Sequence, residues 1–173
     1  ENQLTSLGPY PDLVRLDCRG NQLTTLPPYL NVRALFCGDN QLTSLGGESE
    51  VTPYPKVEEI SCTDNRLTSL PGCPKLRMLS CDSNQLTELG PCPELRILDC
   101  SDNQFRTLPE LPELKFLTCS NNQIEHTPYY PMLEELDLTG NPLAAFMKDP
   151  TSVEEYHRLW RQQIARRKKP ARR

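Results

Sequence analysis

Leu13-Val14-Arg15-Leu16-Asp17-Cys18-Arg19-Gly20-Asn21-Gln22-Leu23-Thr24-Thr25-Leu26 is one copy of a frame that fills most of this chain. Its skeleton, Leu13-x-x-Leu16-x-Cys18-x-x-Asn21-x-Leu23-x-x-Leu26, returns as Val32, Leu35, Cys37, Asn40, Leu42 and Leu45. Further copies are led by Val57, Leu76, Leu95, Leu114 and Leu133. The asparagine recurs at Asn2, Asn21, Asn40, Asn65, Asn84, Asn103, Asn122 and Asn141, with gaps of 19, 19, 25, 19, 19, 19 and 19 residues. A period of this size means one small unit stacked on copies of itself, each burying its apolar side against the next.

The alternation of Leu16 and Cys18 has period two, which reads as a short strand with its apolar side inward. The asparagine stands where the strand must turn. Its amide both donates and accepts, so in a stack it can satisfy backbone groups of its own coil and the next. Asn21→Ala is then expected to cost roughly 1–3 kcal/mol by leaving buried backbone unpaired.

The return leg reads Leu-Thr-x-Leu-Pro-x-x-Pro, in full from Leu67 to Pro74 and in part from Leu23 to Pro28. Proline removes a donor and blocks the preceding helical turn, and most of the 17 prolines fall here. The outer side is therefore expected to be extended or polyproline-like, not helical. A second inward ladder is expected along Tyr10, Tyr29, Tyr54, Cys73, Cys92, Leu111 and Tyr130.

These motifs resemble the leucine-rich repeat family. The short repeat with its proline-bearing return leg is similar to that of secreted bacterial effectors that act inside host cells. The cysteine at the strand's second inward site also resembles the short repeats of multi-copy proteins from large DNA viruses of amoebae. The resemblance covers about residues 1–143. It implies a β-rich solenoid: a curved horseshoe with a concave parallel sheet of about eight coils, an extended convex side and a C-terminal capping helix.

The domain reading is a solenoid over 1–148, a capping helix over 149–166 and a basic tail over 167–173. One irregular gap places six extra residues within 46–53, a Gly-, Ser- and Pro-bearing loop expected to bulge without shifting the ladder. The chain opens inside a repeat, at Glu1-Asn2, which points to missing upstream sequence or a covering chain. After Phe146 the spacing of Val153, Tyr156, Leu159, Trp160 and Ile164 turns helical. Asp149-Pro150 suits a start near 150, and Ser152 with Glu155 forms a competing capping box. Trp160 is expected to be the helix's main anchor.

Six of the eight cysteines share one ladder position: Cys18, Cys37, Cys62, Cys81, Cys100 and Cys119. They replace apolar residues and point the same way, so buried reduced thiols fit better than disulfides. The same holds for Cys73 and Cys92. Reduced thiols with no N-x-[ST] acceptor favour the cytosol or nucleus, a host cell's included. No apolar run is long enough for a membrane span.

No metal or cofactor set and no catalytic constellation stands out. His126 and His157 have no convincing partners, and buried thiols make poor nucleophiles. Function is expected on the concave face, where Met78, Ile97 and Phe116 follow one another, with Phe36 in the next column and Arg77, Arg96 and Lys115 alongside. An apolar strip rimmed by charge is the pattern of a protein interface. Residues 1–150 carry 11 Lys and Arg against 21 Asp and Glu, and residues 151–173 carry 8 against 2, so −10 and +6 give the net −4. The block Arg166, Arg167, Lys168, Lys169, Arg172 and Arg173 resembles a nuclear import signal and is the one segment suited to nucleic acid.

The leading reading is a non-enzymatic protein-binding scaffold, an effector inside a host cell among its forms. A structural component of a viral or other assembly is the alternative. The substrate-recognition part of a ubiquitin ligase whose catalytic domain lies elsewhere is the second. Oligomeric state is left open.

Overall fold

The structure is a computed structural model that describes residues 2–46 and 53–167. Seven three-residue strands form one parallel sheet: β1 (Arg15–Asp17), β2 (Ala34–Phe36), β3 (Glu59–Ser61), β5 (Met78–Ser80), β7 (Ile97–Asp99), β8 (Phe116–Thr118) and β9 (Glu135–Asp137). Two shorter strands, β4 (Ser69–Leu70) and β6 (Glu88–Leu89), pair on the return side. A 3₁₀ turn (Pro142–Phe146) and the helix α1 (Val153–Arg167) complete the described elements. The sheet has seven strands, not eight, because the Asn2 copy contributes only a turn and return leg ahead of β1.

Each strand is followed by a turn because the residue before each ladder asparagine from Asn21 to Asn141 lies at positive φ. These residues are Gly20 (66°), Asp39 (53°), Asp64 (51°), Ser83 (55°), Asp102 (53°), Asn121 (54°) and Gly140 (70°). Gly, Asn and Asp are the residues that tolerate this left-handed backbone best, which explains the Asp-Asn and Gly-Asn pairs in the sequence. The three acids at this position are therefore there first for backbone shape. A Cβ on Gly140 would meet the Asn121 side-chain oxygen at 2.4 Å, so that site has no room for any other residue without rearrangement.

The asparagine amide fastens its own coil to the preceding coil, not to the next. Asn103 shows the pattern: its Oδ1 accepts from the Leu86 N–H (2.8 Å), and its Nδ2 donates to the carbonyls of Cys81 (3.0 Å), Cys100 (3.2 Å) and Ser101 (3.0 Å). Asn40, Asn65, Asn84, Asn122 and Asn141 repeat the set, and Asn21 makes part of it. Among the described residues no buried side-chain nitrogen or oxygen lacks a partner.

A single apolar core runs through the stack, with Leu23, Leu42, Leu67, Leu86, Phe105 and Ile124 all fully enclosed at the same repeat position. All eight cysteines are free and buried. Burial pushes the Cys18 thiol up to about 11 and the Cys73 thiol to about 12, so neither is a ready nucleophile.

The second ladder is inward as expected from Tyr29 to Tyr130, but Tyr10, in the first described coil, is 52% exposed. Each buried tyrosine hydroxyl donates to a carbonyl of the preceding return leg: Tyr29 to Gly8 (3.1 Å), Tyr54 to Pro27 (3.3 Å) and Tyr130 to Pro109 (3.0 Å).

The insertion falls at residues 47–52, outside the described residues. Across it the register holds, Leu35 opposite Ile60, and Gly46 lies against Pro53 with φ of 82°.

The capping helix starts at Val153, later than Asp149-Pro150 suggested. Ser152 Oγ accepts from the Glu155 N–H (3.2 Å), as an N-cap does. Asp149 instead accepts from Thr151 in a turn of its own, and the Glu155 carboxylate reaches back to the N–H groups of Lys148 (2.6 Å) and Asp149 (3.0 Å). The anchor is Tyr156, 3% exposed, and not Trp160, which is half-buried and rests on Tyr129 with ring centroids 4.3 Å apart. The Tyr156 hydroxyl donates to Pro128 O (2.6 Å), and its ring lies nearly parallel to Tyr130, 6.3 Å away. The helix thus supplies the next tyrosine of the second ladder. Arg166 and Arg167 are helical, one residue beyond the expected end, and their side chains lie outside the described part. Lys168, Lys169, Arg172 and Arg173 lie outside the described residues.

Candidate protein-binding face

Because every strand is parallel and in register, residues at one repeat position form a column across the sheet. Arg15, Ala34, Glu59, Met78, Ile97, Phe116 and Glu135 are successive partners, and so are Asp17, Phe36, Ser61, Ser80, Asp99, Thr118 and Asp137. In each strand the middle residue faces the core, so both columns face away from it. Met78, Ile97 and Phe116 are therefore neighbours on the outer surface of the concave sheet. Met78 is 37% exposed, while Ile97 and Phe116 are half-buried between their column neighbours.

Phe36 stands apart from this strip. Arg15 lies over its ring, 4.4 Å from the centroid, and Arg19 approaches to 5.6 Å. Such cation–π contacts cover the ring with the chain's own cations, so Phe36 is less free than its column suggested.

The charged residues beside the strip also differ from expectation. Arg77 lies 3.6 Å from Glu94 and 4.0 Å from Glu58, Lys115 lies 2.6 Å from Glu134, and Arg33 lies 2.7 Å from Glu58. Two of the three expected rim cations are thus already paired across coils, leaving Arg96 without an ion pair among the described residues. The sequence pattern does not show this, since the partners stand on neighbouring coils, 17 to 25 residues apart. Exposed pairs of this kind add little stability, so their role is to set the potential along that edge.

Neither histidine gains a catalytic setting. His126 is exposed, and His157 lies between Tyr129 and Tyr156 with Nε2 3.2 Å from the Tyr130 carbonyl. Among the described residues no three His, Cys, Asp or Glu side chains cluster as a metal site.

Residues 74–113 match the family model for leucine-rich repeats, in two copies. The fold is that of a leucine-rich repeat solenoid. Its architecture is similar to that of YopM, a leucine-rich effector protein from Yersinia pestis, with a TM-score of 0.67 at 25% identity over 80% of this chain and 47% of that one. It is also similar to YopM from Yersinia enterocolitica, with a TM-score of 0.60 at 30% identity over 80% of this chain and 36% of that one. A leucine-rich repeat protein of Leptospira interrogans shares the fold, with a TM-score of 0.55 at 24% identity over 80% of this chain and 47% of that one. The leucine-rich repeat chain thus spans half or less of each of these structures. A search of curated protein sequences finds no match. The repeats therefore resemble those of bacterial effectors.

Proposed function

We propose that this solenoid is a non-enzymatic scaffold that docks a protein partner on its concave sheet, with Met78, Ile97 and Phe116 as the contact centre. The observation that carries this reading is the register itself, which sets three apolar side chains side by side on a surface the core does not use. A leucine-rich repeat fold with effector-like neighbours supports a protein-interaction scaffold. The likeness to YopM supports the narrower reading of an effector at work inside a host cell, and eight unpaired thiols fit a reducing compartment. Among the described residues no helix is long and apolar enough to cross a membrane. Phe116 is the strongest single anchor, because a rigid aromatic at the centre of a patch carries much of an interface's energy.

The test is to replace Met78, Ile97 and Phe116 together by Ser or Asp. Partner capture disappears, while the melting temperature stays nearly unchanged because none of the three belongs to the buried ladders. Equal capture by the triple variant removes the concave strip from consideration.

A further inference from the structure

The two long edges of the concave face are charged in opposite ways, and only one of them is neutralised by the protein itself. Before the strand, cations and carboxylates alternate and pair: Arg33 with Glu58, Arg77 with Glu94, Lys115 with Glu134. On the face and toward the asparagine turn the pattern changes. From Ala34 onward no Lys or Arg stands at either face column or at the two turn positions before the ladder asparagine, yet these positions hold Asp39, Glu59, Asp64, Asp82, Asp99, Asp102, Glu135 and Asp137. The only cations at these positions are Arg15 and Arg19 in the first coil, already engaged with Phe36 and, for Arg19, with Asp17 at 2.7 Å.

The apolar strip is framed by this charge. In its own column the order is Glu59, Met78, Ile97, Phe116, Glu135, so a carboxylate closes each end. Four strand spacings separate the two, about 19 Å. Asp99 occupies the neighbouring column beside Ile97 and accepts only from Ser101. The Asp82 carboxyl is held above its ordinary range first by burial and then by Asp99, Asp64 and Asp102, which is the response of a carboxylate in a negative field with no cation nearby.

Resting on the concave-face reading above, we infer that the partner is a cationic protein segment: an apolar centre seated on Met78, Ile97 and Phe116, with Lys or Arg at both ends to meet Glu59 and Glu135. A segment without those charges would strand the carboxylates as it excluded water from them, which is the costly outcome for a buried charge. A 19 Å span corresponds to about 13 residues of helix. The same field repels a phosphate backbone, so this face disfavours nucleic acid.

The probe is a fluorescein-labelled 15-residue Leu/Lys amphipathic peptide with lysines at both ends, titrated with the full chain and followed by anisotropy at low and physiological salt. A Leu/Glu peptide of the same pattern serves as its mirror. Binding of the Leu/Lys peptide alone is expected. It weakens about tenfold in Glu59→Gln/Asp99→Asn/Glu135→Gln, the sum of three partly exposed pairs, and it loses part of its salt dependence there. The control Glu88→Gln/Glu110→Gln/Glu125→Gln removes as much charge from the return legs and binds within about twofold of the parent.

Equal weakening in the control means diffuse attraction to an acidic protein and overturns the proposal. So does equal binding of the Leu/Glu peptide, or no binding of either. A face filled by the tail of a second copy, seen as self-association of the unliganded chain by sedimentation, overturns it as well. The variant Met78→Ser/Ile97→Ser/Phe116→Ser separates the two readings. If it binds like the parent, the concave-face reading itself falls. If it fails to bind while the carboxylate variant binds normally, only the charge assignment falls.

Discussion

Two kinds of return leg in this solenoid, the tyrosine legs and the cysteine legs, contrast in how one repeat length accommodates different cores. At Tyr29, Tyr54 and Tyr130 a large ring fills the space between coils and its hydroxyl satisfies the preceding leg's carbonyl. At Cys73 and Cys92 the side chain is small, and the legs close on each other instead. There Cys73 N–H donates to Pro91 O and Gly90 N–H to Leu70 O, each at 3.1 Å, and β4 pairs with β6. A Cβ on Gly90 would meet the Gly72 backbone nitrogen at 2.4 Å, so glycine is what permits the approach. The tyrosine legs meet the demand for carbonyl partners with side chains; the cysteine legs meet it with backbone.

The sharpest way to break that comparison is to exchange the two kinds. Tyr54→Cys is expected to cost about 4 kcal/mol, since it opens a ring-sized void among rigid neighbours, whereas Cys73→Ala costs about 1 kcal/mol. Similar losses in urea denaturation would mean the legs do not differ in how they fill space. Next comes Gly90→Ala, at about 2 kcal/mol, from forced separation of two backbones. Hydrogen exchange at the Cys73 amide should rise with it, and unchanged protection would show that the close approach is not required. Tyr130→Phe keeps the ring and removes only the hydroxyl, so about 1 kcal/mol is expected, read as a small drop in melting temperature.

The smallest effect concerns the helix that extends the tyrosine ladder. The Glu155 carboxyl is held below its ordinary range, chiefly by the Asp149 N–H and further by the Lys148 N–H, and Asp149 is lowered by Thr151. Groups with depressed folded-state values add stability above their unfolded values and lose it as pH falls through the folded ones. Acidification through the carboxylate range should therefore loosen the cap. Emission from Trp160, the only tryptophan, should change at a higher pH than the sheet's circular dichroism. Coincident transitions would mean that cap and stack melt as one.

Much of this was legible before any coordinates. The asparagine spacing gave the stack, the alternation gave both concave columns, and proline excluded helices from the return legs. Other features were visible as letters without their meaning. The Gly, Asp, Ser or Asn before each ladder asparagine from Asn21 onward carries no meaning as a letter, although a left-handed turn selects it. Tyr156 stood in the helical pattern, but size favoured Trp160, because spacing shows that a face is apolar and not which member reaches the core. Two expected rim cations were spent on neighbours, a fact that needs side-chain reach across coils.

The sequence by itself determined period, strand register, inward ladders and the placement of three apolar residues on one surface, because a fixed repeat turns position along the chain into position in space. Only the tertiary structure decided which charges remain unneutralised, how the legs satisfy their carbonyls and which residue docks the cap. Those outcomes depend on distances between side chains of different coils, and a one-dimensional pattern does not carry them.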